Sequence, residues 1–233
     1  MNKITLSVIK ADVGSIGGHT KPSDKMMGLV KKQITDAVER KLIIDGLATY
    51  TGDDIAIIMS HRRGVNAPDI HQFAWNCFLS ATSEAQKTGL YGAGQDLLVN
   101  APAGTIRGAG PAVAELEFER NSQNKNRPAE AFLVFTADKC GPGAYNYPFY
   151  SVFCDPMHDG GLLLNPKMRQ GFVFTIVDMD CKEGDRIIKL EAPERLWDIA
   201  ALLQNPDRFA VESIHSRYAQ EEQIVSVSAT RLH

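Results

Sequence analysis

The sequence predicts an α+β fold, a layered α-β-β-α sandwich with mostly antiparallel or mixed sheets. Three observations predict it. Short β-branched runs come in pairs joined by tight turns, helical patterns are few, and the two do not alternate as a doubly wound parallel sheet demands. With 233 residues, 44% hydrophobic and 23% charged, the chain can bury a core and lacks the composition of a disordered one. No linker, internal repeat or low-complexity segment divides it, so residues 1–233 read as a single domain.

The elements can be taken in chain order. Residues 3–11 alternate and are β-branched, the pattern of a strand, and the glycine-rich loop 14–19 comes next. Pro22 and Ser23 open a helix to about residue 42, with Met27, Val30, Ile34 and Val38 as its inward stripe. Residues 43–50 and 55–61 form two strands around a Gly-Asp-Asp turn. Asn66-Ala67-Pro68 starts a second long helix, carrying Ile70, Phe73, Ala74, Cys77, Phe78 and Ala81 on one side and stopping at Gly89. A glycine-rich loop spans 92–111, and loops of that length inside compact domains are usually functional. Strands are expected at 112–119 and 130–137 around a polar tip, then a loop at 140–148. Further strands read at 172–177 and 186–190, a helix opens at Pro193, and two last strands fall at 208–216 and 223–231.

Composition excludes several classes of function. A formal charge of −3, a pI near 6.1 and no basic stripe interleaved with aromatics argue against a nucleic-acid partner. Cys77, Cys140, Cys154 and Cys181 show no paired spacing, so neither a disulfide scaffold nor a zinc knuckle is expected. The N-terminus carries no signal-peptide pattern and no apolar run reaches membrane-spanning length. The expectation is a cytoplasmic protein without a membrane partner.

Four carboxylates lie at the ends of strand-like runs. Asp12 closes the first, Asp53 and Asp54 fill the turn before residue 55, and Asp138 ends the run 131–137. Two carboxylates about 4 Å apart repel by roughly 4 kcal/mol at an effective dielectric near 20. If these ends converge, the economical partner is a hard divalent cation with oxygen ligands. That points to metal-assisted chemistry on phosphates.

In chain order the constellation is Lys10-Ala11-Asp12, His19, Gly52-Asp53-Asp54, Tyr91, Gln95-Asp96, Gly104-Thr105, the 107–111 run and Ala137-Asp138-Lys139. With the segments 7–12, 90–98 and 142–146, it resembles the fructose-1,6-bisphosphate aldolase/phosphatase family, an archaeal-type bifunctional gluconeogenic enzyme. The resemblance implies that Asp12, His19, Asp53 and Gln95 ligate one magnesium ion and that Asp53, Asp54 and Asp138 ligate a second. It implies Asp12 as proton acceptor of the phosphatase step. It also implies His19, Tyr91, Gly104, Thr105 and Lys139 as contacts to the sugar phosphates: fructose 1,6-bisphosphate, dihydroxyacetone phosphate and glyceraldehyde 3-phosphate. Family members form homo-oligomers, described as octamers. Their Schiff-base lysine sits in a Lys-Asp-Asp run downstream of the matched region, which covers somewhat more than half of a family member. The aldolase half is therefore expected to need a segment not present in these 233 residues, and the phosphatase half to depend on it.

Taken one at a time, these residues admit plainer readings. Asp53-Asp54 also suits a solvated hairpin turn, His19 a loop histidine, Tyr91 packing at a helix exit, Lys139 a surface ion pair, and Gly104-Thr105 a simple loop. His71 and the cysteines read as structural. Two other functions fit parts of the pattern: two-metal nucleotidyl transfer on a Gly-Asp-Asp hairpin, and a truncated, non-catalytic metal-binding or assembly module.

Overall fold

The computed structural model describes residues 2–97, 111–120, 132–181, 186–218 and 222–228. The contacts group into two compact units, one up to Asp138 and one from Lys139 onward. The sequence carries no linker at that point.

The first unit is a four-stranded antiparallel sheet with two helices. Its strands are β1 (Asn2–Asp12), β2 (Asp45–Thr51), β3 (Asp54–His61) and β4 (Ala112–Arg120), in the order β2-β3-β1-β4. Helix α1 (Asp24–Glu39) starts where Ser23 Oγ accepts the Met26 N–H at 3.3 Å, and Asp24 adds a negative charge to its first turn. Helix α2 (Pro68–Lys87) has proline at its opening, where the missing N–H costs nothing. Met26, Val30 and Ile34 of α1 and Ile70, Phe73, Cys77 and Phe78 of α2 bury against Ile9 and Ala11 of β1 and Ile55, Ile57 and Met59 of β3. Ile9 pairs with Ile57 and Ala11 with Ile55, so this is the helix-facing side of the sheet. The alternate residues Lys10, Asp12, Asp54 and Ala56 lie on the other side.

The second unit is again a helix-bearing antiparallel sheet. Strands β5 (Phe172–Asp178), β6 (Ile187–Ala192), β7 (Phe209–Ser216) and β8 (Gln223–Ser226) run in the order β6-β5-β7-β8. Phe172, Phe174, Ile176, Val211 and Ile214 form the core with Ile199 and Leu203 of α5 (Leu196–Leu203). Helices α3 (Asn146–Phe153) and α4 (Gly160–Leu163) complete it. The Asn146 side chain is buried and fully used. It donates to the carbonyls of Leu203 (3.1 Å) and Phe209 (2.7 Å) and accepts from Val211 N–H (3.2 Å), clamping α3 to the end of α5 and the start of β7. A Cβ on Gly143 would fall 2.5 Å from Pro206, so glycine is required at that approach.

The α+β class holds, with two four-stranded antiparallel sheets. Two local expectations do not. Among the described residues, 132–137 join no ladder, although their composition is that of a strand. They are held by side chains: Thr136 hydroxyl to Thr51 hydroxyl, the Ala137 carbonyl to Lys10, and Phe132 against Phe118 with ring centroids 6.0 Å apart. The loop expected at 140–148 ends early, because α3 begins at Asn146 and takes Pro148 in its first turn. Helix α4 is one turn long, too short to leave a periodic signature.

Candidate metal centre

The site forms at one end of the first sheet, from the residues that close its ladders. Asp12 and Asp54 are the last register pair between β1 and β3, and Thr51 and Asp54 close the β2–β3 hairpin. The turn itself is Gly52-Asp53. Gly52 adopts φ 58° at the first central position of this two-residue loop, where positive φ is needed. Asp53 is carried inward and is wholly buried.

The loop after β1 delivers His19. Its backbone sits at φ 60°, an uncommon conformation for a residue with a side chain. Its Nδ1 lies 2.5 Å from Asp53 Oδ2 and 3.7 Å from Asp12 Oδ2, and its ring meets Tyr91 edge-on at 4.5 Å between centroids. The segment carrying Tyr91 and Gln95 is stitched to the same loop. Ser15 and Tyr91 exchange backbone hydrogen bonds of 2.9 and 3.1 Å, and Gly94 N–H donates to the Val13 carbonyl at 3.1 Å. A Cβ built on Gly92 would stand 3.4 Å from Gln95 Oε1 and 3.7 Å from His19 Cε1, so both side chains converge over that glycine.

Two groups of ligand atoms result among the described residues. Asp12, His19 and Asp53 each offer one atom, all within 4.8 Å of one another, and Asp53, Asp54 and Asp138 do the same. Asp53 belongs to both. Asp138 enters because Gly52 has no side chain to exclude it.

The electrostatics are those of crowded acids. Burial, then the charges of Asp53, Asp54 and Asp96, push Asp12 up to about 6, against a lowering hydrogen bond from Gly14 N–H. Burial foremost also pushes Asp96 up to about 6, although its Oδ2 accepts the Asp12 N–H at 2.7 Å. Asp54 is raised by burial and by Asp138 and Asp53, with the hydrogen-bonded Lys10 ammonium pulling the other way. Oxygen-rich ligands, one imidazole and an excess of negative charge fit a divalent cation.

Among the sequence-predicted residues, the structure gathers Asp12, His19, Asp53, Asp54 and Asp138, with Gln95 and Tyr91 beside His19. Lys139 is exposed, at φ 54°, and opens the second unit. Gly104 and Thr105 lie outside the described residues. Asp96 and Lys10 stood in the motif without a role. The structure gives Asp96 the Asp12 amide, and it ties Lys10 to both Asp54 and the Ala137 carbonyl.

A family model described as fructose-1,6-bisphosphatase matches residues 3–233. The chain belongs to the fructose-1,6-bisphosphatase family. Relatives named fructose-1,6-bisphosphate aldolase/phosphatase include one from Thermus thermophilus, 50% identical over 99% of this chain and 61% of its own length. Others come from Cenarchaeum symbiosum, 44% identical over 99% of this chain and 58% of its own, and Moorella thermoacetica, 42% identical over 98% and 57%. The chain thus spans roughly three fifths of the length of these relatives. Among the described residues, no helix is long and apolar enough to cross a membrane.

Proposed function

We propose that this chain carries the cation site of a fructose-1,6-bisphosphate aldolase/phosphatase, a cytoplasmic homo-oligomer that removes the 1-phosphate from fructose 1,6-bisphosphate. The observation that carries the reading is the position of Asp53, wholly buried yet shared by two groups of ligand atoms in a chain of this family. Magnesium suits the oxygen-rich donors, with Asp12, His19, Asp53 and Gln95 holding one ion and Asp53, Asp54 and Asp138 another. Bound there, magnesium would supply positive charge that polarises a phosphoryl group.

The chain's own residues have definite work in this reading. Asp12, a carboxylate at the end of β1 inside the cluster, accepts a proton. His19, locked between Asp53 and the edge of Tyr91, keeps its ring in one orientation toward a sugar phosphate. Tyr91, Gly104, Thr105 and Lys139 complete the substrate contacts, Lys139 as a compact positive charge for phosphate. Condensation of dihydroxyacetone phosphate with glyceraldehyde 3-phosphate would draw its Schiff-base lysine from the part of the relatives' length that this chain does not span. The family match does not favour nucleotidyl transfer.

The test is phosphate release from fructose 1,6-bisphosphate by this chain joined to the C-terminal continuation found in its relatives, with magnesium varied. Magnesium-dependent release is expected, and no release at any concentration refutes the reading. The 233 residues alone should trap no borohydride-reducible imine with dihydroxyacetone phosphate.

A further inference from the structure

Lys10 is a basic side chain tied into the acidic cluster, and it makes two contacts at once. It sits on the same side of β1 as Asp12 and opposite Ala56, so it reaches diagonally to Asp54, whose Oδ2 accepts from its ammonium. The same ammonium donates to the Ala137 carbonyl at 2.8 Å. With 22% of its side chain exposed, it spends its charge inside the cluster rather than in water.

The second contact matters because Ala137 is the residue immediately before Asp138. Asp138 is the acid of the cluster delivered by a segment without a strand ladder, and side-chain contacts tether that segment at Thr136 and Phe132. Lys10 thus grips the backbone next to Asp138 while holding Asp54 from the other side. We infer that Lys10 is a positioning residue: by bridging Asp54 to the Ala137 carbonyl it sets Asp54 and Asp138 at the spacing a divalent cation needs. This rests on the cation-binding reading above.

Charge and position predict opposite signs, so the two are separable. Removing a neighbouring positive charge would by itself strengthen binding of a divalent cation. Losing the brace would weaken it at the Asp53–Asp54–Asp138 group and leave the Asp12–His19–Asp53 group nearly unchanged.

The experiment compares wild type, Lys10→Met, Lys10→Arg and Thr136→Val. Manganese binding is measured by calorimetry and electron paramagnetic resonance, and hydrogen exchange is followed on metal-free protein. Wild type should take up two ions. Lys10→Met should weaken the second about tenfold or more and speed exchange over 132–138, with α1 and α2 unaffected. Lys10→Arg, which keeps a charged donor of similar reach, should restore most of the binding. Thr136→Val removes another tie of the same segment without touching charge, and should shift the second ion the same way by less. Equal or tighter binding of both ions by Lys10→Met, or unchanged exchange over 132–138, overturns the proposal. If wild type binds two ions and Lys10→Met binds both as tightly, only the role of Lys10 falls; if wild type binds none, the cation reading falls with it.

Discussion

A side chain on Gly52 would occupy the space that Asp138 fills: a Cβ built there lies 2.8 Å from Asp138 Cγ and nearer still to Oδ2. The hairpin turn and the acid from a different part of the chain are therefore fitted to each other. Gly52→Ala meets two penalties, a left-handed backbone costing about 1 kcal/mol and displacement of Asp138. The variant should lose about 1–3 kcal/mol of stability and bind the ion of the Asp53–Asp54–Asp138 group more weakly. Thermal melts and manganese titration read the two effects separately.

Asp53 is the acid that neither group can spare. Asp53→Asn keeps the shape of the turn but removes a formal charge from both groups and weakens the contact with His19 Nδ1. Both ions should bind at least tenfold more weakly, whereas Asp138→Asn should weaken one. Calorimetric titration of the two variants distinguishes a shared ligand from two separate ones, because only a shared ligand depresses both steps.

Much of this site was legible because strand ends are legible. β-Branched alternation marked β1 and β3 and Gly-Asp marked the turn between β2 and β3, so acids at strand ends could be read from the sequence, while the meeting of Asp12 with Asp54 comes from the β1–β3 register. Asp138 was legible as a strand-end acid, but for a segment outside the described ladders, since Phe132, Val134 and Phe135 carry β-type composition without strand pairing. What had no sequence signature was pairing at a distance. Nothing in the chain says that Asp96 accepts the Asp12 amide or that Lys10 reaches Ala137, because such bonds depend on loop paths rather than periodicity. In the second unit, the 142–146 segment carried the family resemblance, and the structure gives it a packing role through Asn146 and Gly143.

Acid crowding should be measurable as stability. The Asp12 carboxyl rises from 3.8 to about 6 on folding, so the folded chain binds more protons than the unfolded one between those values. Its effect is nil below about pH 4, grows as a loss of stability while pH rises from about 4 to about 6, and is complete above that. Asp12→Asn removes that cost. Without metal it should be more stable than wild type by about 1–2 kcal/mol at pH 7.5, with the difference vanishing near pH 4. Saturating magnesium should reverse the order at pH 7.5, because wild type then gains a ligand that the variant lacks. Urea melts across this range, with and without magnesium, supply the four comparisons.

A second buried network, beneath the start of α2, gives a pH dependence of the opposite sign. His61 Nδ1 accepts the Arg63 N–H at 3.2 Å, which leaves the proton on Nε2, 2.7 Å from Ser7 Oγ. Ser7 in turn donates to Glu115 Oε1 at 2.6 Å, and Glu115 also accepts from the Asn66 amide at 2.6 Å and from His71 Nε2 at 3.2 Å. Both nitrogens of the His61 ring are thus committed to its neutral form, and burial holds its pKa below 6.5. The unfolded chain protonates first as pH falls through about 6.5, so this network loses stability toward acid and keeps it above that value. Ser7→Ala should cost about 1–3 kcal/mol, because it strands a buried imidazole N–H and takes a donor from Glu115. Nitrogen chemical shifts of His61 should report an Nε2–H tautomer at neutral pH. A doubly protonated ring there would mean that the Arg63 amide does not hold Nδ1, and the acid-side loss of stability would then have to arise elsewhere.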